Sequence, residues 1–369
     1  MEPLPSSSPL PRVCVTGGGG FIASWLVKLL LSRGYAVHAT VRDPCDPKNA
    51  FLKQLDGAQE NLRLFKANML DYDTLTAPFA GCEGVFHVAS PVPEGKLVDP
   101  EASASSILLL GKTCLTVTDL VPHTTVQKEM MTPTIEGTRN VLKACSAMNV
   151  KKFIQVSSVA AAVYNPGWPQ GKVRDESSWS DKEFCRENEI WYALAKTEAE
   201  EIALEYGKKN GLQVISLCPG VVFGPLLQHM VLNTTSKVLV YIIKGGPDTM
   251  TNKSWPIVDV RDVADALLLL YNKAGSSERY LCSLDLLDMK DLLEILKNMY
   301  PNYSYADKIV DADYRIEMTS HRLKNLGWKP RKLEETLAHS VESYEEAGFL
   351  QVSEPCRLPF LFLVPTVQE

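Results

Sequence analysis

No apolar run in the chain is long enough to cross a bilayer. A membrane helix needs about 18–20 such residues, and the longest candidate, Leu358–Val364, is short and interrupted by Pro359. Positive charge is not in excess either. The 38 Lys and Arg are outnumbered by 44 Asp and Glu, for a net charge of −6, so there is no basic stripe to hold a phosphate backbone and a nucleic-acid partner is excluded. Close cysteine pairs are also missing. The nine cysteines are scattered, odd in number and without a C-x-x-C, and several sit inside apolar runs such as Val13-Cys14-Val15. That usage fits reduced thiols acting as small hydrophobes in a cytoplasmic protein, not a disulfide scaffold. No metal-ligand set is read. The Pro- and Ser-rich Met1–Pro11 has neither the basic nor the apolar part of a secretory signal and reads as a short disordered leader. There is no internal repeat.

What is present is an alternation of short apolar runs and helical patterns. Arg12–Thr16 is a strand that stops at four glycines. Phe21, Ile22, Trp25, Leu26, Leu29 and Leu30 then recur as one helical face, and Tyr35–Val41 is the next strand. Further buried strands are predicted at Leu62–Lys66, Gly84–Val88, Lys152–Ser157 and Gln213–Cys218, with helices near Thr134–Met148 and Tyr192–Lys208. This cadence implies right-handed crossovers and an α/β domain with a doubly wound parallel sheet. After Pro219 the pattern changes to Gly- and Pro-containing loops and helices near Val260–Asn272 and Asp288–Met299. We divide the chain into a dinucleotide-binding domain over 12–221, a smaller substrate lobe over 222–349 and a tail over 350–369. The stretch Ala102–Gln127 is rich in Ser and Thr and has no sustained period. It reads as disordered or as untranslated sequence retained in the message, with a substrate lid as the alternative.

The glycine run lies where a strand hands over to a helix. A pyrophosphate bound there needs backbone approach without Cβ atoms and the N–H groups of a helix N-terminus, here Phe21 and Ile22. Gly17 and Gly20 suit the turn and the close approach, and Ala23 lets the helix lie on the sheet. Past the second strand stand Arg42 and, six residues on, Lys48. Cations there suit the 2′-phosphate of NADPH. Asp43 is the objection, and because neighbours in extended backbone point opposite ways, only one of Arg42 and Asp43 faces the ribose.

Tyr192 and Lys196 are four apart on a predicted helix, hence on one face with Cβ atoms about 5–6 Å apart. Hydride transfer to a carbonyl needs a proton donor. A phenol serves near neutral pH once a neighbouring ammonium draws its pKa down. Ser157-Ser158 closes the Lys152–Val156 strand, and a hydroxyl there can polarise a substrate oxygen. We select Ser158, with Ser157 as its competitor.

Together these residues resemble the extended short-chain dehydrogenases/reductases, in particular the plant cinnamoyl-CoA reductase and dihydroflavonol reductase group, over about Pro11–Phe349. The marks are Val13–Gly17 through Leu26, Val41-Arg42-Asp43-Pro44, Phe86–Pro91, Gly137–Leu142, Trp191-Tyr192 with Lys196, Pro219–Pro225 and Val258–Ala264. The resemblance implies a Rossmann fold, NADPH as cofactor, and Ser158, Tyr192 and Lys196 as the catalytic group. It also implies that Arg42 and Lys48 grip the 2′-phosphate, Val88, Ala89 and Ser90 line the cofactor, and Pro219 to Val222 flank the nicotinamide. Asn68-Met69 stands where the group has Asp-Leu beside the adenine. The implied substrate is an aromatic, phenylpropanoid-type carbonyl or CoA thioester, handled by a monomer or dimer. Two features depart from cinnamoyl-CoA reductases proper: Ile190-Trp191-Tyr192-Ala193-Leu194 replaces Asn-Trp-Tyr-Cys-Tyr, and Lys237–Tyr241 lacks a His-x-x-Lys. An aldehyde or ketone is therefore the alternative substrate, and a cofactor-binding protein without turnover is the rival of a different class.

Overall fold

The computed structural model describes residues 10–90, 123–228, 230–245, 249–273, 278–311 and 316–351. Seven parallel strands form the central sheet: β1 Arg12–Thr16, β2 Ala36–Val41, β3 Leu62–Lys66, β4 Gly84–His87, β5 Lys152–Val156, β6 Gln213–Pro219 and β11 Arg279–Cys282. Their order is β3-β2-β1-β4-β5-β6-β11. The chain starts in the middle, winds out to β3, returns to β4 and winds the other way. The reversal between β1 and β4 leaves a crevice at their carboxyl ends, the place where such sheets bind ligands.

Burial explains the strands. Val13, Cys14 and Val15 are fully buried, as expected for a central parallel strand covered on both faces. Strand β3 differs from the expectation of a buried strand: it is the sheet edge, and its residues are half-buried or exposed. Helix α1 (Phe21–Ser32) turns Ala23, Leu26, Val27, Leu30 and Leu31 inward. Two short helices, α2 (Ala58–Asn61) and α3 (Thr76–Phe79), lead into β3 and β4. On the other face α4 (His123–Ala147) packs against α7 (Trp191–Asn210), after the small α5 (Ala160–Val163) and α6 (Lys182–Glu187). Most of Ala102–Gln127, like most of the leader and tail, lies outside the described residues. Helix α4 begins at His123, well ahead of the expected start near Thr134.

The boundary expected at 221/222 is crossed by the chain. Helix α8 (Thr234–Lys244) and the strand pair β7 (Val221–Phe223) with β10 (Ile257–Asp259) stand beyond the sheet's carboxyl edge. Helix α9 (Val260–Asn272) then packs on α1. Its Tyr271 lies 5.2 Å from the Phe86 ring and fills the space a side chain at Gly84 would need. Strand β11 re-enters the main sheet beside β6. The rest comprises β8 (Met250–Asn252) with β13 (Ile309–Asp311), β9 (Ser254–Trp255) with β12 (Leu287–Asp288), and helices α10 (Met289–Met299), α11 (His321–Asn325) and α12 (Leu333–Glu346).

Among the described residues no helix is long and apolar enough to cross a membrane. The seven described cysteines are free, and six of them are buried.

Candidate active site

The glycine turn between β1 and α1 is built for close approach. Gly17 has φ +69°, and a Cβ there would stand 2.9 Å from the Ala89 Cβ. Gly17 N–H donates to Thr40 Oγ1 at 3.1 Å, Gly18 N–H to the Thr40 carbonyl at 2.8 Å and Gly20 N–H to the Gly17 carbonyl at 2.8 Å. Gly20 caps α1 with extended backbone and no side chain, and the first turn carries no acid. The N–H groups of Phe21 and Ile22 therefore have no intrahelical partner and sit at the positive end of the helix. A Cβ on Gly19 would collide with Asn49 Oδ1, so Asn49, absent from the sequence-based set, closes one side of the turn.

Arg42 follows the end of β2 and is exposed. The Asp43 carboxylate turns back into its own loop and accepts the Cys45 N–H at 2.9 Å. Lys48 is less free than expected. Its ammonium pairs with Asp46 at 2.8 Å, at the start of the 3-10 helix Pro47–Gln54. Asn68 is exposed, and its side-chain oxygen already accepts the Leu70 N–H at 3.1 Å. The Met69 side chain abuts Gly137, and its carbonyl accepts from Asn140 Nδ2 at 3.0 Å.

At the reversal point, Thr16 and His87 face each other in register. Thr16 Oγ1 accepts the N–H groups of Val88 and Ala89, each at 3.1 Å. With both lone pairs used, its proton goes to His87 Nδ1, 3.0 Å away. His87 must then carry its own proton on Nε2, 3.5 Å from Thr138 Oγ1. Thr138 in turn donates to the Thr134 carbonyl at 2.8 Å. The chain of bonds assigns a neutral imidazole and fixes Val88 and Ala89 against the glycine turn. The next residue, Ser90, has a buried hydroxyl oxygen with no partner among the described residues, a polar atom suited to a ligand in the crevice.

Burial, aided by the charge of Lys196, pushes the His87 imidazole down to about 3. A neutral, buried His87 favours the folded state in full above the unfolded value near 6.5. That stability is lost as pH falls from about 6.5 towards 3, by roughly 3–5 kcal/mol in all. His87→Asn is expected to flatten this loss relative to the unaltered protein in urea titrations at pH 7.5 and 5. Parallel losses in the two proteins would refute it.

The reacting groups converge beyond the end of β5. Ser157, the competitor, is 4 % exposed and donates to Glu200 Oε2 at 2.8 Å. Ser158 is half-buried, accepts the Ala160 N–H at 3.2 Å and stands beside the Tyr192 hydroxyl. Lys196 is 5 % exposed. Its ammonium donates to the Val156 carbonyl at 3.3 Å and lies 5.8 Å from the Tyr192 ring centre. Pro219 ends β6 beside this group, accepting the Val159 N–H at 3.0 Å. Val222, 5 % exposed, follows it and accepts from Thr235 Oγ1 at 2.6 Å.

The charges differ from expectation in one respect. The phenol of Tyr192 is pushed up, not drawn down: burial outweighs the lowering effect of the nearby Ser158 hydroxyl. Lys196 is itself lowered to about 8 by burial, with Cys218 and Glu200 opposing. A lysine so desolvated, bonded to a carbonyl and not to the phenol, does little to favour a phenolate. Among the described residues no three His, Cys, Asp or Glu side chains stand together as metal ligands.

The pattern of the NAD dependent epimerase/dehydratase family matches residues 13–113 and 121–283. Cinnamoyl-CoA reductase 1 of Petunia hybrida is 38% identical over 357 residues, covering 96% of this chain and 98% of that protein. Tetraketide alpha-pyrone reductase 1 of Arabidopsis thaliana is 32% identical, with 93% and 98% covered. The crystal structure of vestitone reductase from alfalfa superposes with a TM-score of 0.74 at 30% identity, over 92% of this chain and 99% of that one. With its seven-stranded parallel sheet and glycine turn at the reversal point, the chain belongs to the NAD dependent epimerase/dehydratase family and, within it, to the cinnamoyl-CoA reductase-like short-chain oxidoreductases.

Proposed function

We propose that the protein is a cytosolic, NADPH-dependent reductase of an aromatic carbonyl, with a hydroxycinnamoyl-CoA thioester reduced to its aldehyde as the first reading. The observation that carries it is the convergence of Ser158, Tyr192 and Lys196 at the carboxyl end of β5. That group stands next to a turn whose glycines, orphan N–H groups and unpartnered Ser90 oxygen fit a dinucleotide. Bound there, NADPH supplies the hydride. The residues of this chain do the rest. Phe21 and Ile22 N–H groups and the α1 dipole hold the pyrophosphate, Arg42 the 2′-phosphate with Lys48 assisting, and Asn68 and Met69 flank the adenine. Val88, Ala89 and Ser90 line the crevice, and Pro219 and Val222 back the nicotinamide.

Ser158 donates a hydrogen bond to the substrate oxygen, and Tyr192 gives it a proton as the carbonyl carbon is reduced. An aldehyde or ketone would stop at the alcohol, whereas a thioester adduct would return that proton to Tyr192 as the C–S bond breaks, expelling CoA thiolate and leaving the aldehyde. Two observations keep the aldehyde or ketone reading alive: the missing His-x-x-Lys in Lys237–Tyr241 and the likeness to vestitone reductase. NADPH oxidation should be followed at 340 nm with feruloyl-CoA, phenolic aldehydes and dihydroflavonols in separate assays. Turnover of the first alone supports the thioester reading and turnover of the others the alternative. Silence with all three leaves a nucleotide-holding protein without chemistry.

Arg42→Ser tests the cofactor. Losing one charge-assisted phosphate contact of about 1.5–3 kcal/mol should raise KM for NADPH about 10- to 100-fold and leave the NADH value unchanged. An equal effect on both cofactors would move the 2′-phosphate elsewhere.

A further inference from the structure

Behind the reacting group lies an ion pair to which the chemistry above assigns no part. Glu200 follows Lys196 by one turn of α7 and is fully buried. Its carboxylate accepts from Arg279 Nε at 2.8 Å and Nη2 at 3.2 Å, from Ser157 Oγ at 2.8 Å and from the Cys218 thiol at 3.5 Å. Arg279 comes from β11 and lies 3.7 Å over the Trp179 ring. It also donates to the carbonyls of Ser178 and Ala161. Burying two charges costs several kcal/mol per ion, and such a pair often adds no net stability over apolar residues of the same volume. Stability alone is therefore a weak reason for this pair.

What it touches supplies a better one. Ser157 immediately precedes Ser158, and Cys218 immediately precedes Pro219. The same two strand ends are laced by Ser157 N–H to the Leu217 carbonyl at 2.7 Å and Val159 N–H to the Pro219 carbonyl at 3.0 Å. The carboxylate thus holds the ends of β5 and β6 from below.

We propose that Glu200 is a positioning residue of the reaction: its carboxylate fixes the strand ends that carry Ser158 and Pro219. The proposal rests on the role given to Ser158 above, and its test is separable from it.

Glu200→Gln/Arg279→Met removes both charges and leaves neither buried alone. With the strand ends no longer anchored, kcat is expected to fall about tenfold while KM for NADPH holds within about threefold. A folded double variant with full kcat overturns the proposal. Should the double variant not fold, Ser157→Ala keeps both charges and cuts the anchor. It is expected to lose about tenfold in kcat with NADPH affinity unchanged, and full kcat there overturns the proposal too. If the unaltered protein reduces no carbonyl, the functional reading fails, but faster amide hydrogen exchange at Ser157 and Val159 in either variant still decides whether Glu200 holds the strand ends.

Discussion

Replacing Tyr192 with phenylalanine is expected to lower kcat for carbonyl reduction by about 10²–10⁴-fold, the usual worth of a positioned proton donor. NADPH affinity should stay within about threefold. The ring is kept, so its packing survives. Only the hydroxyl that meets Ser158 is lost. Because that phenol is held above its ordinary value in the cofactor-free protein, it stands protonated at working pH, the form a reductase needs at the start of a turnover. Steady-state kinetics with NADPH titrated by fluorescence would decide it. A variant that keeps more than about a tenth of kcat would move the proton donor to another group.

Gly17→Val is expected to abolish tight cofactor binding. The residue sits at φ +69°, where a β-branched side chain is strained by about 1–3 kcal/mol. Its Cβ would also press on Ala89, which cannot retreat while its N–H is held by Thr16. Together these should weaken NADPH binding by at least about 30-fold, equivalent to about 2 kcal/mol, and lower the Tm. Gly34→Ala is the matching control. Gly34 has φ +78°, yet nothing lies within 4 Å of its missing Cβ. That variant should lose about 1 kcal/mol of stability and no cofactor affinity. If both variants bind NADPH like the parent, the glycine turn is not the pyrophosphate site.

Features that depend on a few consecutive residues were legible without coordinates. Strand β1, the glycine stop and the inward face of α1 follow from apolar spacing and from what a Cβ-free turn permits. The pairing of Tyr192 with Lys196 follows from the pitch of a single helix. The alternation of strands and helices required a parallel sheet, since crossovers of this length admit little else.

Tertiary structure decided everything that joins residues far apart in the chain. Register placed Thr16, His87, Gln155, Ser216 and Arg279 in one polar row across five strands, and no local pattern encodes that row. It returned β11 to the main sheet and brought Arg279 to Glu200, 79 positions away in sequence. It separated Ser157 from Ser158 by giving the first a buried carboxylate and the second a phenol. It turned Asp43 into its own loop and tied Lys48 to Asp46. It also reversed the expected direction for Tyr192, because a titration follows the water a group loses as much as the charge beside it. Composition and spacing settle which groups a helix or turn can present. Desolvation and long-range pairing exist only once the layers have closed.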